Sequence, residues 1–126
     1  VKLQPDRIEG VNAITACDAR SIIVNGQTWT QSLLVPTHGE VQPWGVQRID
    51  DLLPEHFSRL LAFTPELVIF GSGQRMHFVS PALMAALYAQ RIGIETMTTA
   101  AACRTYNVLV SEYRRVVLVA LLDPLS

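Results

Sequence analysis

The apolar positions of this chain follow two regimes, short strand-like runs before residue 36 and an alternation of helical and strand patterns after residue 50. Val11-Asn12-Ala13-Ile14-Thr15 alternates imperfectly, Ser21-Ile22-Ile23-Val24 is rich in β-branched residues, and Trp29 to Val35 is again aromatic and aliphatic. These runs predict short antiparallel strands. Asp18-Ala19-Arg20 can reverse the chain, and Asn25-Gly26 supplies the residue types that best tolerate positive φ in a tight hairpin. Pro36 to Trp44, with Pro36, Gly39 and Pro43, has the composition of a loop.

Beyond it, Leu53, Phe57, Leu60 and Leu61 fall at i, i+4, i+7 and i+8. That spacing predicts one amphipathic helix from near Asp51 to before Pro65. Leu67-Val68-Ile69-Phe70 is a continuous apolar run ending in Gly71-Ser72-Gly73, the pattern of a strand covered on both faces. Ser80-Pro81 predicts a helix start, with Ser as N-cap and Pro at the first helical position. This helix should run to about Ile92, largely buried, with Gly93 as its C′ residue. A brief strand, Ile94 to Met97, precedes a helix from about Thr99 to Glu112. At about 100° per residue its inward face gathers Ala102, Cys103, Tyr106, Leu109, Val110 and Tyr113, with Ala101, Arg104, Ser111 and Glu112 opposite. Val116 to Leu122 is a second doubly covered strand, ended by Asp123-Pro124. The fold class is therefore α/β, a parallel or mixed central sheet with helices on its faces and right-handed crossovers, extended by an N-terminal antiparallel β-hairpin.

Composition narrows the function classes. The 126 residues suit one domain, 1–126, and with 49% hydrophobic and 17% charged residues a sizeable core forms without staples. The longest apolar runs fall well short of the roughly 20 residues that cross a bilayer. With no secretory signal pattern at the start, a cytoplasmic location is expected. The net charge of −1 and the scattered Arg and Lys, with Arg114-Arg115 the only basic doublet, argue against nucleic acid. Cys17 and Cys103 form no C-x-x-C, and reduced, buried thiols are the expectation.

Candidate chemistry is sparse. Gly71-Ser72-Gly73 after a buried strand could cradle an anion, but Met76 occupies the third glycine position of a dinucleotide fingerprint. The alternative is a tight turn that needs glycine. Pairing Cys103 or Ser72 with His38, His56 or His77 would make a nucleophile, yet no G-x-S-x-G elbow is present, and the histidine spacing fits no zinc motif. No catalytic residue, cofactor or metal is therefore assigned. Thr99, Arg104, Thr105, Tyr106, Asn107, Glu112 and Arg114 make the last helix unusually polar. Two readings follow, a satisfied internal network or a ligand groove formed with the turn, lined by Gly71, Ser72, Gly73, Thr99, Arg104, Tyr106, Asn107 and Glu112.

The runs Leu67 to Gly73, Gly93 to Met97, Thr99 to Leu109, and Glu112 with Arg114 resemble the Mth-like domain family, small α/β proteins largely of unknown function. Asn25-Gly26 and Trp44 also fall in the expected order, so the likeness spans the whole chain. Two positions depart from the family pattern: Thr98 stands where Asp is frequent, and Tyr113 where Gly is frequent. The resemblance implies a three-layer arrangement around a mixed, mostly parallel sheet, and it carries over no catalytic residues. The family includes a mitochondrial assembly factor for respiratory complex I and an adipogenesis-associated protein. This implies a non-enzymatic binding or assembly module with a protein partner, as monomer or weak homodimer. The alternative is a small-molecule or anion-binding protein, possibly an enzyme, and an enzymatic role is left open.

Overall fold

A computed structural model describes residues 10–123. At its centre is a five-stranded mixed sheet in the order β5-β4-β8-β6-β7, made of β4 (Leu33–Pro36), β5 (Gln42–Pro43), β6 (Leu67–Gly71), β7 (Gly93–Met97) and β8 (Val116–Ala120). β8 runs parallel to β6, which runs parallel to β7, while β4 is antiparallel to both β8 and β5. The N-terminal extension is a separate three-stranded antiparallel sheet of β1 (Ile14–Cys17), β2 (Ile22–Val24) and β3 (Gln27–Trp29). Asn25 and Gly26 turn β2 into β3 with φ of 53° and 82°, as a two-residue hairpin of this twist requires.

The central strands are apolar on both sides because both are covered. Leu33, Val35, Ile69, Val116, Leu118 and Ala120 pack toward helix α3 (Thr99–Ser111) and the three-stranded sheet. Leu34, Val68, Phe70, Val117 and Val119 pack toward α1 (Pro54–Ser58) and α2 (Ala85–Ala89). The connections through α2 and α3 run in opposite directions along the sheet, from β6 out to β7 and from β7 back across to β8. Crossovers of one hand then place their helices on opposite faces, which is where α2 and α3 lie. The second layer centres on Trp44, fully buried, whose ring makes edge contacts with Phe57 and Phe70 at 5.6 and 5.7 Å. Its indole N–H donates to the His56 carbonyl at 3.1 Å.

Several expected boundaries move. The Trp29 to Val35 run divides, its first residue closing β3 and its last three lying in β4, and the Pro36 to Trp44 loop contains β5. Instead of one helix from Asp51, the chain forms a 3₁₀ turn (Ile49–Asp51), then α1, then a second 3₁₀ turn (Arg59–Phe63). Pro54 is the cause, since a proline is accommodated in the first turn of a helix but not in its interior. Phe57 and Leu60 still point inward, whereas Leu53 precedes the break and is half exposed.

The second helix is shorter and wetter than expected. Pro81–Met84 is 3₁₀, the Ser80 side chain makes no capping bond, and only Met84 and Leu87 are buried between Pro81 and Ile92. It ends at Arg91, whose φ of 59° fills the left-handed C′ position; Gly93 instead opens β7.

Helix α3 matches expectation except at Tyr113, which is 83% exposed and lies beyond the helix. There the Tyr113 N–H donates to the Val110 carbonyl and the Arg114 N–H to the Leu109 carbonyl, both at 2.9 Å. This pair of bonds requires the left-handed conformation at residue 113, where φ is 61°. A side chain there costs about 1–2 kcal/mol, partly offset by the backbone entropy a glycine would lose. Tyr113→Gly is expected to raise the free energy of urea unfolding by roughly 0.5–1 kcal/mol; a loss of stability would contradict this geometry.

Candidate functional site

The turn after β6 is packed for closeness. A Cβ at Gly71 would stand 2.9 Å from both Cα and Oγ1 of Thr99, so glycine here lets β6 meet the start of α3. The Ser72 hydroxyl donates to the Arg75 carbonyl at 2.7 Å and accepts the His77 backbone N–H at 3.0 Å. It is a clamp on the following loop rather than an activated nucleophile. The Gly73 N–H donates to Thr99 Oγ1 at 3.0 Å, and that hydroxyl donates to the Leu121 carbonyl at 2.7 Å. Thr99 thus ties the ends of β6, α3 and β8 together.

An open groove of about 280 Å³ lies beyond these strand ends, lined by Gly73, Gln74, Thr98 and Thr99 on one side and Cys17 and Asp18 on the other. The first turn of α3 offers little to an anion there. Thr98 is the N-cap and accepts the Ala101 N–H at 3.3 Å, and the Thr99 N–H goes to the Gly73 carbonyl at 2.9 Å. Among the described residues, the ionisable side chains lining it are those of Cys17 and Asp18. Asp18 is itself engaged, accepting the Arg20 and Ser21 N–H groups at 2.8 and 2.9 Å, which hold its carboxyl below the usual range.

The other expected site residues stand elsewhere. The Tyr106 hydroxyl is buried and donates to the Asn12 carbonyl at 2.7 Å, with the Pro36 carbonyl at 3.3 Å. The Asn107 amide donates to the Ile14 carbonyl at 2.7 Å and accepts the Ile14 N–H at 3.3 Å, pairing α3 with β1 as a neighbouring strand would. Asn12 extends this network, giving its amide to the Pro36 and Gly39 carbonyls and accepting from Asn25 at 2.8 Å. Arg104 and Glu112 are exposed, and among the described residues no hydrogen bond or ion pair joins them. Arg114 instead meets Glu66 at 2.9 Å. Gly73 and Thr99 therefore reach the groove, Gly71 and Ser72 are not among its lining residues, and Tyr106 and Asn107 fasten α3 to the N-terminal sheet.

Of the histidines, His56 Nδ1 accepts the Leu53 N–H at 2.9 Å and His38 Nδ1 lies 3.2 Å from the Gly10 carbonyl. Among the described residues no cluster of three metal-ligating side chains occurs. The cysteines, unremarked by their spacing, come together. Both are buried without a disulfide, and the Cys103 thiol hydrogen-bonds the Cys17 thiol. This bond holds Cys17 below its usual value against the opposing effect of burial. The same bond, with burial, pushes Cys103 up.

A family model described as a protein of unknown function, DUF498/DUF598, matches residues 14–122. The chain belongs to the DUF498 family. Its fold is shared with a Bordetella parapertussis protein of known crystal structure, 34% identical, covering 93% of this chain and 100% of that one with a TM-score of 0.86. A Bordetella pertussis protein described as a Mth938-like domain is 30% identical, covers 100% of this chain and 95% of that one, and has a TM-score of 0.78. A bovine relative named NADH dehydrogenase (ubiquinone) 1 alpha subcomplex assembly factor 3 is 32% identical over 104 residues. That match takes in 80% of this chain and 55% of the bovine protein, so the chain spans about half the length of that relative.

Geometry accounts for both departures from the family pattern. Position 98 is an N-cap, where Thr and Asp both supply an accepting oxygen, and position 113 is left-handed, where Gly is the unstrained choice. If Tyr106 is a fastener, Tyr106→Phe should lower the free energy of urea unfolding by about 1–3 kcal/mol, because buried acceptors lose their donor. Burial pushes the Tyr106 phenol well above its usual value. The folded state therefore holds that proton more tightly, and the stability it contributes is present below about pH 10 and lost as pH rises beyond it. Tyr106→Phe should flatten that alkaline loss; an unchanged slope would place the phenol in water.

Proposed function

We propose that the chain, as one domain over residues 1–126, is a non-enzymatic assembly module that docks a protein partner in the cytoplasm, as a monomer or weak homodimer. The observation that carries this reading is the loop between β6 and the Pro81–Met84 turn, where Phe78 is 90% and Met76 46% exposed. Large apolar side chains held in water are characteristic anchors of protein interfaces. The bovine relative named as an assembly factor supports the same reading. Tagged chain captured from its native cell should bring down a reproducible partner, and Phe78→Ser combined with Met76→Ser should reduce its recovery by roughly tenfold or more. Recovery of the bait alone across several detergents, or equal recovery with the double variant, defeats this reading.

The groove beside Gly73 favours a second reading, small-molecule binding. Its volume of about 280 Å³ lies just below the usual range of ligand pockets, and the described residues that line it include no cation for an anionic ligand. A thermal-shift screen of nucleotides, phosphates and organic acids tests it. A ligand at about 100 times its dissociation constant adds about 2.7 kcal/mol of stability. A midpoint unmoved by every compound removes this reading.

A further inference from the structure

The geometry points to Cys17 and Cys103 as a peroxide-reactive dithiol that closes to a disulfide between β1 and α3. Three observations converge on it. Both side chains lie in the same buried core cluster, where the Cys103 thiol hydrogen-bonds the Cys17 thiol. Cys17 lines the groove, whereas Cys103 is fully buried behind it on the inward face of α3. The backbone bearing them is already held in register, since Asn107, one turn after Cys103, bonds both backbone groups of Ile14 at the start of β1.

The division of roles follows from position. A nucleophilic thiol must be reached by the oxidant and must be able to lose its proton. Cys17 faces the groove, and the bond it accepts favours loss of its proton. At 3% exposure it admits only a small oxidant, which favours hydrogen peroxide over a bulky disulfide. The Cys17 thiolate attacks one peroxide oxygen, the O–O bond breaks, hydroxide leaves and takes up a proton to become water, and Cys17 becomes a sulfenic acid. The Cys103 sulfur then attacks the Cys17 sulfur. The S–O bond breaks, the Cys103 proton leaves with the hydroxyl as a second water, and the S–S bond forms. Two thiols and one peroxide have become one disulfide and two waters. A small external dithiol returns the pair by thiol–disulfide exchange. Disulfides of this transient kind are the ones a reducing compartment tolerates.

The test uses the folded, reduced protein treated with stoichiometric hydrogen peroxide near neutral pH. A non-reducing tryptic digest is expected to show peptide 8–20 joined to peptide 92–104, two hydrogens lighter than their sum and separated by dithiothreitol. The link closes a long loop, so the melting midpoint should rise by roughly 10 °C in the wild type. It should not rise in Cys17→Ser or Cys103→Ser. In Cys103→Ser, peroxide should leave Cys17 as a sulfenic acid that dimedone traps, while Cys103 in Cys17→Ser stays unlabelled. If a variant does not fold, the wild-type digest decides alone. Two thiols still free after peroxide, links only between molecules, or sulfinic acid at Cys17 without the internal link would each overturn the proposal.

Discussion

Strand β8 is buried at every one of its five positions, and the rest of the molecule is arranged to keep water from both of its faces. A strand so apolar needs a cover on each side and a neighbour on each edge. β4 and β6 supply the edges, α3 with the small N-terminal sheet supplies one cover, and α1, α2 and Trp44 supply the other. Burial of this kind is non-directional, so it holds the layers together without fixing their orientation. Orientation comes from polar fasteners at the margins. Thr99 joins three element ends, Thr37 exchanges bonds with both backbone groups of Val116, and Tyr106 with Asn107 locks α3 to the N-terminal strands.

Much of this was legible in the sequence where one local cause dominates. Asn25-Gly26 marked its hairpin because its backbone angles suit few other residues, and Leu67 to Phe70 and Val116 to Leu122 marked strands because a continuous apolar run has no wet face to offer. The segments around Pro54 and Pro81 were harder. Apolar spacing reports which side of a segment is buried, and a 3₁₀ turn followed by a short α-helix keeps nearly the same side inward as one longer helix. The pattern therefore survived in Phe57 and Leu60 although the hydrogen bonding did not. Gly93 misled for a related reason: a glycine after a helix signals a C′ residue only when the left-handed position has not already been filled, here by Arg91.

The candidate site divides along the same line. The polarity of α3 announced a network, but its partners lie far along the chain, 94 positions away for Tyr106 and Asn12, and nothing local to residue 106 names them. The contact between Cys17 and Cys103 was invisible for the same reason. What the described residues leave on display is accordingly narrow: an apolar loop in water and a small groove lined by Cys17, with Cys103 buried behind it. Of the polar residues that looked most like a binding site, Thr99, Tyr106 and Asn107 help to hold the layers in place.

The central claim, that both covers of β8 and their fasteners form a single cooperative body, is tested most directly by native-state hydrogen exchange. Amides of β6, β8 and the Cys103 to Val110 stretch of α3 are expected to open with free energies within about 1 kcal/mol of one another and of global unfolding. If α3 opens several kcal/mol more easily than β8, the polar ties along its inward face are not what holds the layers together, and this account fails.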